Sequence, residues 1–141
     1  MRYCFKPRFN FVILSFFVVM SCENTNKLID VQGHRGCRGL LPENTIEAFN
    51  KAVELGVHTL EMDLAITKDN EIVVSHEPYM NSVICLKPSG DVISKEEENQ
   101  FNLYKMSFED IKTFDCGTKY HPDYPNQQKL ATHKPLLSDV I

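Results

Sequence analysis

Apolar and polar residues change rhythm several times along this 141-residue chain, and each change predicts an element. His58-Thr59-Leu60-Glu61-Met62-Asp63-Leu64-Ala65-Ile66 alternates, with Leu60, Met62 and Leu64 on one face and Glu61, Asp63 and Ala65 on the other. The turn formers Lys68-Asp69-Asn70 follow, and then the β-rich run Ile72-Val73-Val74. That interval is too short for a parallel crossover, which takes a dozen or more residues, so the pattern predicts a hairpin. A two-residue primed turn at Asp69-Asn70 would close it. Asp63 would then stand opposite His76, on one face with it, with Cβ atoms about 4.5–5.5 Å apart.

Upstream, Leu28–Gly33 predicts a short strand running into His34-Arg35-Gly36, with Gly33, Gly36 and Gly39 allowing unusual backbone angles and close approach of a ligand. Pro42-Glu43-Asn44-Thr45 then leads into a helix with Asn44 or Thr45 as N-cap. Ile46, Phe49 and Val53, with Ala48 and Ala52 beside them, form its apolar face, and Gly56 ends it. Residues 28–66 thus spell strand, loop, helix, strand: a βαβ unit, right-handed by default. Tyr79–Tyr104 is polar and turn-rich, and its run Glu96-Glu97-Glu98 reads as solvated surface. Ser107–Phe114 predicts a short capped helix ended by Asp115-Cys116-Gly117. Thr118–Lys134 is irregular and offers no evident chemistry. Ser138 reads as the N-cap of a helix opening at Val140-Ile141.

The chemistry sits where the strands end. Ligands of βαβ units gather at the carboxyl ends of strands, and His34-Arg35 and Glu61/Asp63 lie towards those ends. Two carboxylates on one strand face repel each other, and burying them unpaired is costly. A hard divalent cation such as Mg²⁺ or Ca²⁺ removes both penalties. Taken alone, Glu-x-Asp describes two ordinary surface acids equally well, and a lone His34 or Arg35 is most often a hydrogen-bonding or ion-pairing residue. Cys37, in the same loop, reads as a small filler.

Taken together, the pattern is specific. His34-Arg35-Gly36, Pro42-Glu43-Asn44-Thr45, Ala48-Phe49, Gly56, Glu61-x-Asp63, Thr67-Lys68-Asp69 and His76 resemble, in order and spacing, the N-terminal signature of the glycerophosphodiester phosphodiesterase family. The resemblance is close over residues 30–78 and weaker through Lys105–Ile141. It implies an α/β fold, the N-terminal part of a (β/α)8 TIM-type barrel of the phospholipase-C-like phosphodiesterases. It also implies hydrolysis of small-molecule glycerophosphodiesters to glycerol 3-phosphate and an alcohol, with a divalent metal, Mg²⁺ or Ca²⁺. Residue by residue, it gives His34 and His76 the catalytic acid–base roles, Arg35 the substrate phosphate, and Glu61 and Asp63 the metal. Which histidine is the acid stays open, as does whether the nucleophile is water or a neighbouring glycerol hydroxyl.

Two departures from the family pattern stand out. Glu77 occupies a place where the family usually has Asp. The chain also falls well short of a barrel of about 250 residues, and the family's third metal ligand, a Glu on a later strand, has no counterpart. Residues 28–141 are therefore expected to form a truncated barrel domain, with 79–104 as a loop insertion over its top. A partial barrel would expose strand edges and an unpaired apolar face.

At the other end, Arg2, Lys6 and Arg8 precede the apolar run Phe11–Met20, broken only by Ser15. That run is too short to span a bilayer comfortably and fits a signal-peptide core. Val19-Met20-Ser21-Cys22 resembles the lipobox of bacterial lipoproteins, which implies a signal peptide over 1–21, lipidation of Cys22 and a polar tether over 22–27. The product would be exported and lipid-anchored to the bacterial cell envelope, at its periplasmic face or at the cell surface. An uncleaved signal anchor is the alternative. A net charge of −4 without a dense basic patch gives no reason to expect nucleic acid. Of the five cysteines, Cys37, Cys85 and Cys116 would remain in the mature domain, an odd set without metal-site spacing and with at least one free thiol. Two other functions fit the same residues: a phospholipase-D-like sibling acting on lipid phosphodiesters, or an inactive truncated lipoprotein that binds a phosphate ligand or a partner.

Overall fold

The computed structural model describes residues 29–141. The signal peptide, the lipidation site at Cys22 and the tether expected over 1–27 lie outside the described residues.

The βαβ unit is present. Strand β1 (Gln32–Gly33) pairs in parallel with β2 (Thr59–Leu60), matching Gln32 to Thr59 and Gly33 to Leu60. Helix α1 (Ile46–Glu54) connects them. Thr45 is its N-cap: the extended backbone there lets the hydroxyl accept from the Ala48 amide at 3.2 Å. Asn44 lies just outside in the left-handed region, at φ 55°. Leu55 caps the other end, and Gly56 follows at φ 77°.

The buried face of α1 is narrower than the pattern predicts. Ala48, Phe49 and Ala52 are buried, whereas Ile46 and Val53 are exposed. Close packing explains the difference. A Cβ on Gly36, whose φ is 81°, would lie 2.7 Å from the Ala48 carbonyl carbon, and one on Gly33 would lie 3.1 Å from the Ala52 Cβ. The helix thus presents its smallest residues to the loop after β1, and Gly33 and Gly36 serve helix packing, Gly36 with the unusual backbone angle expected of it. Gly39 has nothing near it.

The nine-residue alternation from His58 to Ile66 is divided. Glu61-Met62-Asp63 leaves strand geometry, and β3 (Leu64–Ile66) pairs antiparallel with β4 (Ile72–Val74) in a separate two-stranded sheet. The hairpin exists, but its register is shifted by one residue. Leu64 faces Val74 and Ile66 faces Ile72, so Asp63 meets Ser75, whose amide donates to the Asp63 carbonyl at 2.8 Å. His76 is the next residue along. The turn is the cause: Thr67 N donates to the Glu71 carbonyl at 3.0 Å around the three-residue loop Lys68-Asp69-Asn70, with Asn70 left-handed at φ 63°. A three-residue loop ending in a left-handed residue replaces the expected two-residue turn. The Asp69 carboxylate also accepts from the Phe108 amide at 3.2 Å, docking the loop on helix α2 (Phe108–Ile111). Ser107 and Asp110 form that helix's capping box; the helix is shorter than the expected Ser107–Phe114.

The segment 79–104 is more than a polar cover. Met80, Ile84, Cys85, Ile93 and Leu103 from it are buried with Val73, Ile111, Phe114 and Cys116 in the main hydrophobic cluster. A disulfide joins Cys85 to Cys116, leaving Cys37 as the free cysteine among the described residues. Within the acidic run, Glu98 is buried and accepts from Ser82 N at 2.9 Å, Ser82 Oγ at 2.7 Å and Lys95 Nζ at 2.7 Å. Glu97 pairs with Lys87 at 2.7 Å, so Glu96 alone of the three matches the solvated reading. Near the end, Pro135 O accepts from Val74 N at 2.9 Å. Leu137–Asp139 is a single 3-10 turn with Ser138 inside it, where an N-cap had been expected. No described helix is long and apolar enough to cross a membrane.

Asp115 supplies a pH-dependent tie beside the disulfide. Its carboxylate accepts from Gly117 N at 2.9 Å, from Thr118 N at 3.1 Å and from the Thr118 hydroxyl. Burial pushes its pKa up, but these hydrogen bonds outweigh that and hold it below the ordinary carboxylate value. A lowered folded pKa gives stability that is present above the unfolded value of about 3.9 and lost as pH falls through the folded value. Asp115→Asn is therefore expected to cost about 1–2 kcal/mol at pH 7. In thermal unfolding the gap to the parent protein should narrow steadily below pH 4.

Candidate active site

Parallel pairing of β1 and β2 carries their ends to one place. Glu61 N donates to the Gly33 carbonyl at 3.0 Å, which sets the Glu61 side chain beside the loop that leaves β1. There the Glu61 Oε2 accepts from the Arg35 amide at 2.9 Å, and the His34 Nε2 lies 3.9 Å away. Arg35 adopts the left-handed region at φ 52°, a costly conformation for a residue with a Cβ, and its carbonyl accepts from Asn44 N at 3.0 Å. The strained turn points the guanidinium inward, where it is only 12% exposed.

That guanidinium is the hub. Its Nη1 donates to Glu43 Oε1 at 2.8 Å, and its Nε lies 3.2 Å from Asp63 Oδ2, close enough for an ion pair but not aligned as a hydrogen bond. Asn44 Nδ2 donates to the same Asp63 oxygen at 3.1 Å. Arg38 approaches the second oxygen of Glu43 at 3.7 Å and stacks 4.8 Å above the Tyr124 ring. The Gln127 amide clamps this loop by donating to the carbonyls of Arg38 at 2.6 Å and Leu41 at 3.0 Å. So the irregular stretch after Thr118 braces the site.

Four of the five expected catalytic, phosphate and metal residues are thus linked pairwise: the Arg35 amide to Glu61, the Arg35 guanidinium to Asp63, and His34 to Glu61 at 3.9 Å. His76 reaches the group from β4, through its neighbour Ser75 on Asp63 and through Glu77, which lines a cavity of about 170 Å³ with Arg35, Arg38 and Glu43. Sequence reasoning passed over two further members. Glu43 was read as part of a structural turn, yet its carboxylate is buried between two guanidinium groups. Lys134, from the segment with no evident chemistry, is 5% exposed. Burial pushes its ammonium pKa down, against the pull of the Glu77, Glu43 and Asp63 charges. An isolated Lys in an irregular stretch gives no signal of such a position. Burial likewise pushes the Cys37 thiol pKa up, as suits an inert filler.

The donor set accommodates a hard cation in part. Hydrogen bonds fall on Glu61 Oε2 and Asp63 Oδ2, and among the described residues the other oxygen of each has no hydrogen-bond partner. No group of three or more His, Cys, Asp or Glu side chains is placed to hold a metal among these residues. The ion pairing gives one clear expectation. Glu43→Ala leaves Arg35 and Arg38 without their shared buried counter-charge and should cost about 3–5 kcal/mol, seen as a lower denaturation midpoint.

Residues 34–141 match the model of the Glycerophosphoryl diester phosphodiesterase family. The chain belongs to that family. It is 46% identical over 108 residues to the uncharacterized protein YqiK of Bacillus subtilis, and 39% identical over 109 residues to a glycerophosphodiester phosphodiesterase of Bacillus altitudinis. Each match covers 77% of this chain and 37% of the relative, so the chain spans little more than a third of their length. Among solved structures, a glycerophosphoryl diester phosphodiesterase family structure from Silicibacter pomeroyi is 31% identical with a TM-score of 0.72, covering 78% of this chain and 38% of its own. An Oleispira antarctica phosphodiesterase in complex with sn-glycerol-3-phosphate is 25% identical with a TM-score of 0.58, covering 79% of this chain and 38% of its own. The mixed α/β arrangement of the phosphodiesterase family is therefore shared over the described residues.

Proposed function

We propose that the complete protein hydrolyses glycerophosphodiesters to glycerol 3-phosphate and an alcohol, at a site built on Arg35, Glu61, Asp63, His34 and His76. One observation carries this: the inward Arg35 guanidinium, held between Glu43 and Asp63, with Glu61 on the Arg35 amide beside an exposed histidine, in a chain of the phosphodiesterase family. With Nη1 and Nε held by carboxylates, the Arg35 Nη2 is the edge left to grip a phosphoryl oxygen. A new P–O bond forms to the nucleophile while the P–O bond to the alcohol breaks. One histidine takes the nucleophile's proton, and the other donates one to the departing oxygen. Imidazole suits both tasks, with an unperturbed pKa near 6.5. A divalent cation, Mg²⁺ or Ca²⁺, on the free oxygens of Glu61 and Asp63 would supply charge neutralisation at the phosphoryl group when bound.

The described residues correspond in this reading to the first part of a (β/α)8 barrel, whose apolar surface at Leu64, Ile66 and Ile72 faces further barrel elements. Export is supported by the Cys85–Cys116 disulfide, since such bonds persist in oxidising compartments. Anchoring at Cys22 predicts that Cys22→Ser moves the protein from the membrane fraction to the soluble exported fraction.

Phosphorus NMR of the complete gene product with glycerophosphocholine tests the reaction. Formation of glycerol 3-phosphate, stopped by a chelator and restored by Mg²⁺ or Ca²⁺, is the expected result. Turnover of lysophosphatidylcholine in its place would assign the site to lipid phosphodiesters, and no turnover of either would leave a binding protein.

A further inference from the structure

The second histidine of the site has a dedicated partner that the proposed reaction does not yet use. His76 Nδ1 lies 2.7 Å from Glu77 Oε1, the carboxylate of the very next residue. Adjacent residues on an extended strand point to opposite faces, so such a contact needs a local turn. The structure provides one: β4 ends at Val74, and the buried Ser75 donates its hydroxyl to the Glu77 carbonyl at 2.7 Å while its amide holds Asp63. The Glu77 backbone is thereby pinned, and the longer Glu side chain folds back onto the imidazole.

Glu77 is itself set into the fold. Its side chain is mostly buried, and its Oε2 is buried without a hydrogen-bond partner. The Pro135 carbonyl on Val74 N brings the buried Lys134 to the end of β4, just ahead of this segment. Burial alone would raise the Glu77 carboxyl pKa, yet the hydrogen bond from His76 helps hold the carboxyl below the usual value. An ionised carboxylate can only accept, so the hydrogen between the two groups sits on Nδ1. In the neutral ring the lone pair is then on the other nitrogen, Nε2, and the side chain is 43% exposed.

We propose that Glu77 is a positioning residue for His76: it accepts Nδ1–H, fixes the tautomer and ring orientation, and presents Nε2 to the substrate. The inference rests on the reading of His76 as an acid–base group. It also gives a reason for Glu at this position: the extra methylene supplies reach for a back-folded contact.

Two measurements on the complete protein test it. Long-range ¹H–¹⁵N correlation spectra of the histidine rings, with His76 assigned through His76→Gln, should show His76 with hydrogen on Nδ1 in the parent protein and a tautomer mixture in Glu77→Gln. With glycerophosphocholine, Glu77→Gln should lower kcat about 10- to 100-fold, as losses of such supporting contacts do, with KM within about twofold. Glu77→Asp, which keeps the charge, should recover part of kcat, and its thermal midpoint checks that the fold persists. An Nε2–H tautomer in the parent, or kcat unchanged in Glu77→Gln, overturns the proposal. If the parent turns over no substrate, the phosphodiesterase reading fails, while the spectra still decide the role of Glu77.

Discussion

His34→Ala is expected to lower glycerophosphodiester hydrolysis by about 10²–10⁴-fold while leaving the thermal midpoint of the protein nearly unchanged. The separation follows from how little the fold asks of this side chain. Its ring is 59% exposed, and its one close ionic neighbour, Glu61 Oε2, is 3.9 Å away, beyond hydrogen-bond distance. A side chain this exposed can be removed at little cost to packing, so its loss should register in activity. Arg35 behaves differently, because its guanidinium is the counter-charge for Glu43 and Asp63. Arg35→Ala should lose both stability and activity. Comparing kcat/KM with the unfolding midpoint for the two variants checks the contrast. A His34→Ala protein with full activity would remove this histidine from the reaction.

Gly36→Ala should be strongly destabilising for so small a substitution, costing about 3 kcal/mol or more. Two penalties act together. The backbone there is at φ 81°, where any Cβ is strained, and the new methyl would meet the Ala48 carbonyl carbon at 2.7 Å and its Cβ at 2.8 Å. Neither neighbour can yield, because both belong to the buried face of α1. The expected relief is a displaced helix, which would also pull Arg35 and Asn44 from their carboxylates. Urea unfolding should show a markedly lower midpoint. Gly39→Ala is the control, since a methyl there meets nothing within 4 Å. Equal stability of the two variants would mean that α1 does not rest on the loop as described.

The βαβ unit was legible because its signals are local: an N-cap at Thr45, a terminator at Gly56 and a β-rich run on either side. The contact of His34 and Arg35 with Glu61 and Asp63 followed from the rule that strand ends converge. The hairpin register was not legible. Lys68-Asp69-Asn70 can close a two-residue or a three-residue loop, and Asn70 in the left-handed region selected the longer one. One residue of difference moved Asp63 from His76 to Ser75. Of the predicted apolar face of α1, Ala48, Phe49 and Ala52 are buried but Ile46 and Val53 are not, because the packing distance to Gly33 and Gly36 favours the smaller residues. Lys134 was invisible for a different reason: its place depends on Pro135 docking against Val74, a contact across sixty residues of chain that no periodicity announces.

The most direct measurement is a crystal structure of the complete protein with glycerol 3-phosphate and Mg²⁺. The account predicts phosphate oxygens within hydrogen-bond distance of the Arg35 guanidinium, the cation on Glu61 and Asp63, and both His34 and His76 facing the phosphorus. A phosphate bound away from Arg35, or bound equally well by Arg35→Ala in calorimetry, would contradict it.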